Sequence, residues 1–156
     1  MAHLHTATVR WALGDADFLA KRYSRAHTWT FDGGVVLPAS SSPHVVPVPM
    51  SDAGAVDPEE AFVAALSSCH MLWFLDIASR AGYVVDRYED AADGHMGRNG
   101  AGKLVVDVVT LRPRTRFAGA RVPDAAALAA LHHAAHDECF LANSVRCEIR
   151  CEPALE

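Results

Sequence analysis

The sequence predicts an α+β fold in which antiparallel strands surround two helices, in the order β-β-β-α-β-β-α-β. Two observations predict it. Several segments alternate apolar and polar residues, which is typical of strands, and two others begin and end with helix signals. Because the strands cluster around the helices, we expect antiparallel pairing. A chain of 156 residues is expected to form one domain over residues 1–156.

The N-terminal part predicts three strands and a long loop. Residues 5–13 alternate and predict the first strand, and residues 22–31 predict the second. Two glycines follow Asp32 and indicate a hairpin turn, after which residues 35–39 return as the third strand. Residues 40–56 are rich in serine and proline and predict an irregular loop. Loops of this length in a compact domain are often functional.

The most strongly predicted element is a helix between Asp57 and Gly82. Asp57 is a favourable N-cap, Pro58 suits the first helical position, and Gly82 is typical of a helix end. The helix is apolar nearly all round, so we expect every face to be buried. Its length and its polar residues, such as His70 and Asp76, argue against a membrane span.

The C-terminal part predicts three strands and a second helix. Residues 84–96 are predicted to form one long strand, and residues 103–117 a long returning strand after a glycine-rich turn. Pro123 and Asp124 indicate a helix that runs to about His136. Residues 144–151 alternate and predict the last strand.

Composition excludes some classes of function. The net charge of −5 argues against nucleic-acid binding. Residues 1–13 lack the apolar core of a signal peptide, so we expect a cytoplasmic protein whose thiols stay reduced. The four cysteines contain no CxxC pair, which argues against a thioredoxin motif or a zinc ribbon.

Cys69, in the middle of the long helix, is the first candidate for chemistry. A buried free cysteine is often only a small apolar core residue. A functional role needs a cation that stabilises the thiolate and a second cysteine that traps the sulfenic acid as a disulfide. Cys139 is a candidate partner, because it precedes a possible short helical turn. Cys147 and Cys151 share one strand face and are interpreted as core residues.

Three motifs together resemble the OsmC/Ohr family, that of osmotically inducible protein C and the organic hydroperoxide resistance protein. They are DPEE at residues 57–60, SCH around Cys69, and ECFLANSV at residues 138–145. The segments SCHMLW and LHHAAHDECF resemble a less characterised branch. The resemblance implies an OsmC-like fold and an intertwined homodimer with two active sites at the subunit interface. It also implies a cysteine-based peroxidase that reduces organic hydroperoxides, and hydrogen peroxide more weakly, with an external dithiol and no cofactor.

The resemblance also implies roles for individual residues. Cys69 would attack the peroxide, Cys139 would resolve the sulfenic acid, and Glu59 would be the acidic partner. The family's active-site arginine would be Arg25 or, failing that, Arg22. An organic tail is expected to contact four apolar side chains: Phe62, Met71, Trp73 and Phe140.

Two alternatives stay open. One is a binding protein that uses Cys69 for a thiol-reactive ligand other than a peroxide. The other is a metal-binding module, since histidine and cysteine are zinc ligands; the candidates are Cys69, His70, His132, His136 and Cys139. Because no spacing matches a zinc pattern, we expect no metal, and we interpret His70 as a hydrogen-bonded core residue.

Helix geometry adds an expectation about the dimer. If one straight helix carries Glu59 and Cys69, the two lie about 15 Å apart along its axis and are turned roughly 80° from one another. A glutamate side chain cannot close that gap. We therefore expect the charged partners of Cys69 to come from the other subunit.

Overall fold

The computed structural model describes residues 3–156 and divides into two compact units. The first ends at Ala61 and the second runs from Phe62 to Glu156, so the boundary lies within the long helix. The expectation of a single domain stays a prediction. Each unit is described by itself below.

The first unit contains the predicted three-stranded antiparallel sheet. Its strands are β1 (Ala7–Arg10), β2 (His27–Phe31) and β3 (Val36–Ala39), in the order β1-β2-β3. The β2–β3 turn is the predicted one, and Gly34 occupies it with a φ of +83° that favours glycine. The second strand begins later than predicted, because the backbone N–H of Arg25 donates to the carbonyl of Met50 and not to a neighbouring strand.

Helix α1 (Pro58–Arg80) has the predicted bounds, and both ends have clear physical causes. The Asp57 carboxylate accepts from the Glu60 N–H, and the Glu60 carboxylate accepts from the Asp57 N–H, which is a capping box. At the other end, the Tyr83 N–H donates to the Ala78 carbonyl around Gly82, whose φ is +78°. This Schellman motif ends the helix.

The two long strands predicted after α1 are each divided in two. The first consists of β4 (Val84–Asp90) and β5 (Asp93–Arg98), and the second of β6 (Leu104–Leu111) and β7 (Pro113–Ala118). β4 pairs with β7, and β5 pairs with β6. The pairing keeps the same register across the division, since Asp90 pairs with Pro113 and Asp93 with Thr110. The two long segments therefore form one antiparallel hairpin. Both segments are interrupted at the same point along it, so the hairpin belongs to two sheets.

Asp90 and Arg112 explain why the division falls there. The Asp90 carboxylate accepts the backbone N–H of Arg112, and the Arg112 guanidinium pairs with Asp93 and Glu152. These side-chain bonds replace ladder bonds at the bend. Pro113 follows directly and has no N–H to donate.

The C-terminal segment adds one strand to each sheet. β8 (Glu148–Cys151) pairs with β6 and β9 (Ala154–Leu155) pairs with β7, both in parallel orientation. The resulting sheets have the orders β5-β6-β8 and β4-β7-β9. The α+β class is confirmed, with two parallel pairings that the sequence prediction did not include.

Helix α2 (Ala125–Glu138) packs against α1 within the second unit. Asp124 is its N-cap and accepts from the Ala127 N–H, as its position in the sequence predicts. A short 3₁₀ helix, Ala142–Ser144, follows. Phe74 and Ala78 of α1 form a buried cluster with Leu128, Leu131 and Ala135 of α2. A second cluster joins Leu66 of α1 to Val109 and Leu111 of β6.

Within this chain α1 buries one face and not all of them, which corrects the expectation from its composition. Its buried residues recur every fourth position: Leu66, His70, Phe74 and Ala78. Leu72, on another face, is 61% exposed. By length and composition alone the 23 residues of α1 could span a membrane, so its length is not an argument against a span. Its buried face packs instead against α2 and β6.

Candidate active site

The site is centred on two thiols that α1 and α2 bring together. Cys69 is half-buried on α1, one residue before the buried His70. Cys139 is the C-cap of α2 and is buried, with 1% of its surface exposed. The two side chains are close enough for the Cys139 thiol to donate a hydrogen bond to the Cys69 sulfur. The structure thus places together the two cysteines that the sequence selected.

The surroundings of Cys139 act on its ionisation in opposite directions. Burial is the largest effect and raises the pKa of the Cys139 thiol, and the neighbouring Cys69 raises it further. The backbone N–H groups of Ala142 and Leu141 lower the pKa of Cys139 by donating to its sulfur, the former at 3.4 Å. The balance is a raised pKa, so the helical turn after Cys139 reduces the cost of ionisation without reversing it.

A cavity of about 310 Å³ opens beside Cys69. Leu72, Trp73 and Phe140 give it a mostly apolar wall, and the Trp73 and Phe140 rings meet edge-to-face with centroids 5.4 Å apart. Phe140 is 70% exposed, so it borders the mouth of the cavity. A cavity of this size suits a small ligand with an apolar body.

Two of the four residues expected in the pocket lie elsewhere in the second unit. Trp73 and Phe140 line the cavity, whereas Phe62 packs against the buried cluster of Leu66, Val109 and Leu111. Met71 is half-buried and is not among the lining residues. Met71, two residues after Cys69, lies on the opposite side of α1, whereas Phe62, seven residues before Cys69, shares its face but lies about 10 Å nearer the start of the helix.

Sequence reasoning missed a charged pair that lines the same cavity. Asp76 and Arg80 form an ion pair of 2.7 Å at its edge, with the Arg80 side chain 72% exposed. Helical periodicity would have found them, because seven and eleven residues from Cys69 return to nearly the same face. The apolar cavity therefore has a polar end.

The arginine and glutamate candidates lie in the first unit, up to Ala61. The Arg25 guanidinium stacks over the Tyr23 ring, 3.7 Å from its centroid, and donates to the carbonyls of Lys21 and Tyr23. Arg22 is 74% exposed and pairs with Asp17. Arg25 is therefore the more rigidly held of the two candidates. Glu59 is half-buried in the first turn of α1.

The histidine and cysteine residues considered for a metal separate into different places. His70 is fully buried, and its Nε2 lies 2.9 Å from Nδ1 of His132. Burial lowers the pKa of His70 to about 4 and that of His132 to about 3. The hydrogen-bonded role expected for His70 matches this position. Its nearest cysteine is Cys151, at 3.8 Å, and neither Cys69 nor Cys139 belongs to this group among residues 3–156.

Cys147 and Cys151 are both half-buried, as their strand face predicts. Cys147 packs against the Leu66 cluster, and burial raises its pKa. Burial also raises the pKa of Cys151, to about 12, with the charge of Asp90 as a further cause. Both thiols therefore have a smaller thiolate fraction at neutral pH than a free cysteine, and are less reactive toward a peroxide.

Comparison with known proteins places this arrangement in a family. A family model described as OsmC-like protein matches residues 51–154. An OsmC-like protein of unknown function from Vibrio cholerae is 52% identical, with a TM-score of 0.95 over 98% of this chain and 100% of that one. Among curated proteins, none matches.

Two organic hydroperoxide resistance proteins share the fold. That of Elizabethkingia anophelis is 15% identical, with a TM-score of 0.67 over 100% of this chain and 97% of that one. OhrB of Bacillus subtilis is 18% identical, with a TM-score of 0.66 over 99% of this chain and 98% of that one. Since the family model spans well over half of the sequence and a close relative carries the same description, the chain belongs to the OsmC/Ohr family.

Proposed function

We propose that the protein is a thiol-dependent peroxidase that reduces organic hydroperoxides, and hydrogen peroxide more weakly. The observation that carries this proposal is the pair of Cys69 and Cys139, side by side next to an apolar cavity. Membership of the OsmC/Ohr family supports it, as does a fold shared with two organic hydroperoxide resistance proteins.

The first step oxidises Cys69. Its thiolate attacks the terminal oxygen of the hydroperoxide, the O–O bond breaks, and the alkoxide leaves as an alcohol after it takes a proton. Cys69 is left as a sulfenic acid, the first and reversible stage of thiol oxidation. Cys69 is half-buried and lines the cavity, so a peroxide in the cavity can reach it. Cys139 is buried and does not line the cavity.

The second step forms a disulfide. The Cys139 thiolate attacks the Cys69 sulfur, an S–S bond forms, and the hydroxyl group leaves as water. An external dithiol then reduces the disulfide by two exchange reactions and becomes a disulfide itself. The whole cycle converts one hydroperoxide and one dithiol into an alcohol, water and a disulfide, and needs no metal, flavin or haem.

The cavity supplies substrate preference. Leu72, Trp73 and Phe140 would bury an alkyl or aryl group, at roughly 25 cal/mol for each Å² of apolar surface. Hydrogen peroxide gains nothing from this wall, which accounts for the weaker reaction. The Asp76–Arg80 pair would contact the polar end of a longer substrate.

Charged residues assist Cys69 in this scheme. Arg25, with Arg22 as the second choice, would stabilise the thiolate and orient the hydroperoxide, and Glu59 would hold that arginine. The ordered guanidinium of Arg25 favours it over the exposed Arg22. We further propose that the protein works as a cytoplasmic homodimer in which these groups are supplied across the subunit interface.

A steady-state assay tests the proposal. Cumene hydroperoxide and hydrogen peroxide are supplied to the purified protein with dithiothreitol, and peroxide consumption is followed. Wild type should consume cumene hydroperoxide with the higher kcat/KM, and Cys69→Ser should reduce consumption to the uncatalysed rate. Cys147→Ser is the matched control and should retain activity, since Cys147 lies in the apolar core.

Two results would contradict the proposal. One is wild-type consumption no faster than that of dithiothreitol alone. The other is Cys69→Ser with full activity, which would move the chemistry to another residue.

A further inference from the structure

A polar cluster interrupts the apolar core of the second unit, between the Phe74 and Leu66 clusters. His70 of α1, His132 of α2 and Cys151 of β8 meet there, and the two histidines are 1% and 2% exposed. Buried polar groups cost folding free energy unless they are fully bonded. The peroxidase scheme uses none of the three, so the cluster needs another explanation.

The three side chains present their donor atoms to one point. Nε2 of His70 lies 2.9 Å from Nδ1 of His132 and 3.8 Å from Sγ of Cys151, and all three atoms lie within 4.8 Å of one another. A tetrahedral ion bound at about 2.0–2.1 Å to nitrogen and 2.3 Å to sulfur needs separations of about 3.3–3.6 Å. The observed distances require only small side-chain adjustments.

Hydrogen bonding alone does not satisfy the pair of imidazoles. Nδ1 of His70 and Nε2 of His132 are buried without a partner among the described residues. In neutral rings, whichever nitrogen donates across the 2.9 Å contact, one buried N–H and one buried lone pair stay unpaired. An ion bound at the inner nitrogens would not contact these outer nitrogens, which would then both carry N–H groups.

The surroundings are suited to added positive charge. Asp90 lies close enough to act electrostatically on His70, Cys151 and Tyr88. A Cys151 thiolate together with the Asp90 carboxylate would balance a divalent cation in a low-dielectric core. The Tyr88 hydroxyl is also buried without a partner within residues 3–156.

We propose that His70, His132 and Cys151 form a buried binding site for a zinc-type transition-metal ion. Two imidazole nitrogens and one thiolate are ligands that Zn²⁺ prefers, and hard ions such as Mg²⁺ do not. On binding, the proton shared by the histidines moves to an outer ring nitrogen and the thiol proton leaves to solvent. The ion then joins α1, α2 and β8 and stabilises the second unit, separately from Cys69.

Cobalt substitution tests this site directly. Wild-type protein is freed of metal by EDTA, which is then removed, and Co²⁺ is added in steps. We expect one equivalent per chain to give a thiolate-to-cobalt charge-transfer band with the intense visible bands of tetrahedral Co²⁺, and Zn²⁺ to displace it. At a 100-fold excess over its Kd, Zn²⁺ should raise the Tm by about 5–10 °C.

Variants assign the ligands. Cys151→Ser should abolish the charge-transfer band and weaken Zn²⁺ binding by about 100-fold or more, beyond the effect of an outer-shell change. Cys147→Ser and His133→Ala are the matched controls, a thiol four residues before Cys151 and an exposed histidine directly after His132. Both should bind as wild type does. Cys69→Ser should keep the band while it loses peroxidase activity, so the two proposals fail independently.

The wild-type spectrum decides the outcome even if a variant folds poorly. Absence of a charge-transfer band and of any Zn²⁺-dependent rise in Tm would overturn the proposal. A band that persists in Cys151→Ser, or that disappears in Cys69→Ser, would equally overturn it by assigning the thiolate ligand to another cysteine.

Discussion

Cys139 must lose a proton before it can attack the sulfenic acid, and its surroundings make that loss difficult. Burial and the adjacent Cys69 raise its pKa, while the N–H groups of Ala142 and Leu141 partly compensate. A raised pKa leaves a smaller thiolate fraction at neutral pH than a free cysteine has. Resolution of the sulfenic acid, and not its formation, is therefore expected to carry the steeper pH dependence.

This dependence can be measured in a single turnover. Below the pKa of Cys139 its thiolate fraction grows about tenfold with each pH unit, so the rate constant of disulfide formation should rise about tenfold per unit between pH 6 and 8. Trp73, which lines the cavity beside Cys69, offers a fluorescence signal for rapid mixing. Cys139→Ser should lack the second phase at every pH. A rate constant that stays flat across this range would show that Cys139 is already ionised.

Phe140 tests the role of the apolar wall. Phe140→Ala should raise KM for cumene hydroperoxide by about tenfold, since loss of one well-packed apolar contact is worth roughly 1–2 kcal/mol. The KM for hydrogen peroxide should hardly change. The side chain is 70% exposed, so the variant is expected to fold normally. Leu104→Ala, an exposed apolar change on β6, is the control, and equal effects on both peroxides would contradict the cavity assignment.

At the scale of elements, the helices could be predicted from sequence because local chemistry determines their ends. The side chains that close the capping box at Asp57 lie three residues apart, and the Schellman motif involves only residues around Gly82. Signals so close in sequence are visible without tertiary structure. The second helix is similar, since Asp124 alone supplies its N-cap bond.

The division of the hairpin could not be predicted in the same way. Apart from Pro113, residues 84–98 and 104–118 show no local break, and the bend depends on Asp90 bonding Arg112 across 22 residues. The parallel addition of β8 and β9 is likewise a long-range event. Pro113 was the available signal, because proline within a strand is typical of an edge or an interruption.

Prediction of the site was limited in the same way, because some of its contacts join residues that are distant in sequence. Motifs indicate the cysteine pair, and helical periodicity counted from Cys69 indicates Asp76 and Arg80. The meeting of His70 with Cys151 spans 81 residues and depends on the bent sheet. No local pattern indicates it.

The capping box gives a stability prediction for α1. Asp57→Ala should lower the free energy of unfolding by about 1 kcal/mol, and by up to about 2, because the Glu60 N–H loses its acceptor. Urea denaturation followed by circular dichroism measures the change. Ser68→Ala, an exposed change in the same helix, should alter stability by less than about 0.5 kcal/mol. A loss at Asp57 no larger than that of the control would mean that the cap contributes nothing.

At the scale of the whole molecule, α1 leaves apolar surface uncovered within one chain. Leu72 is 61% exposed and Phe140 is 70% exposed, although both lie at the candidate site. Contiguous apolar surface of this kind often marks an interface. The proposed homodimer would cover it and would bring charged residues of a second chain to Cys69.

Subunit mixing tests whether sites are shared. Inactive Cys69→Ser and inactive Glu59→Ala proteins are combined under conditions that allow exchange. If the two residues act across the interface, each mixed dimer has one intact site, and activity should return to about one quarter of the wild-type value. The fraction of mixed dimers is verified by native mass spectrometry of differently tagged chains. Verified exchange without recovered activity would place both residues in one chain.

A map of thiol oxidation after one equivalent of cumene hydroperoxide shows whether Cys69 and Cys139 react as a pair. Peptides of the unreduced wild type are analysed by mass spectrometry, beside those of Cys139→Ser treated identically. We predict a Cys69–Cys139 disulfide within each wild-type chain. In Cys139→Ser we predict sulfenic and then sulfinic acid at Cys69, because nothing traps the intermediate. A Cys147–Cys151 bridge as the sole product, or Cys69 left unmodified in both proteins, would contradict the account.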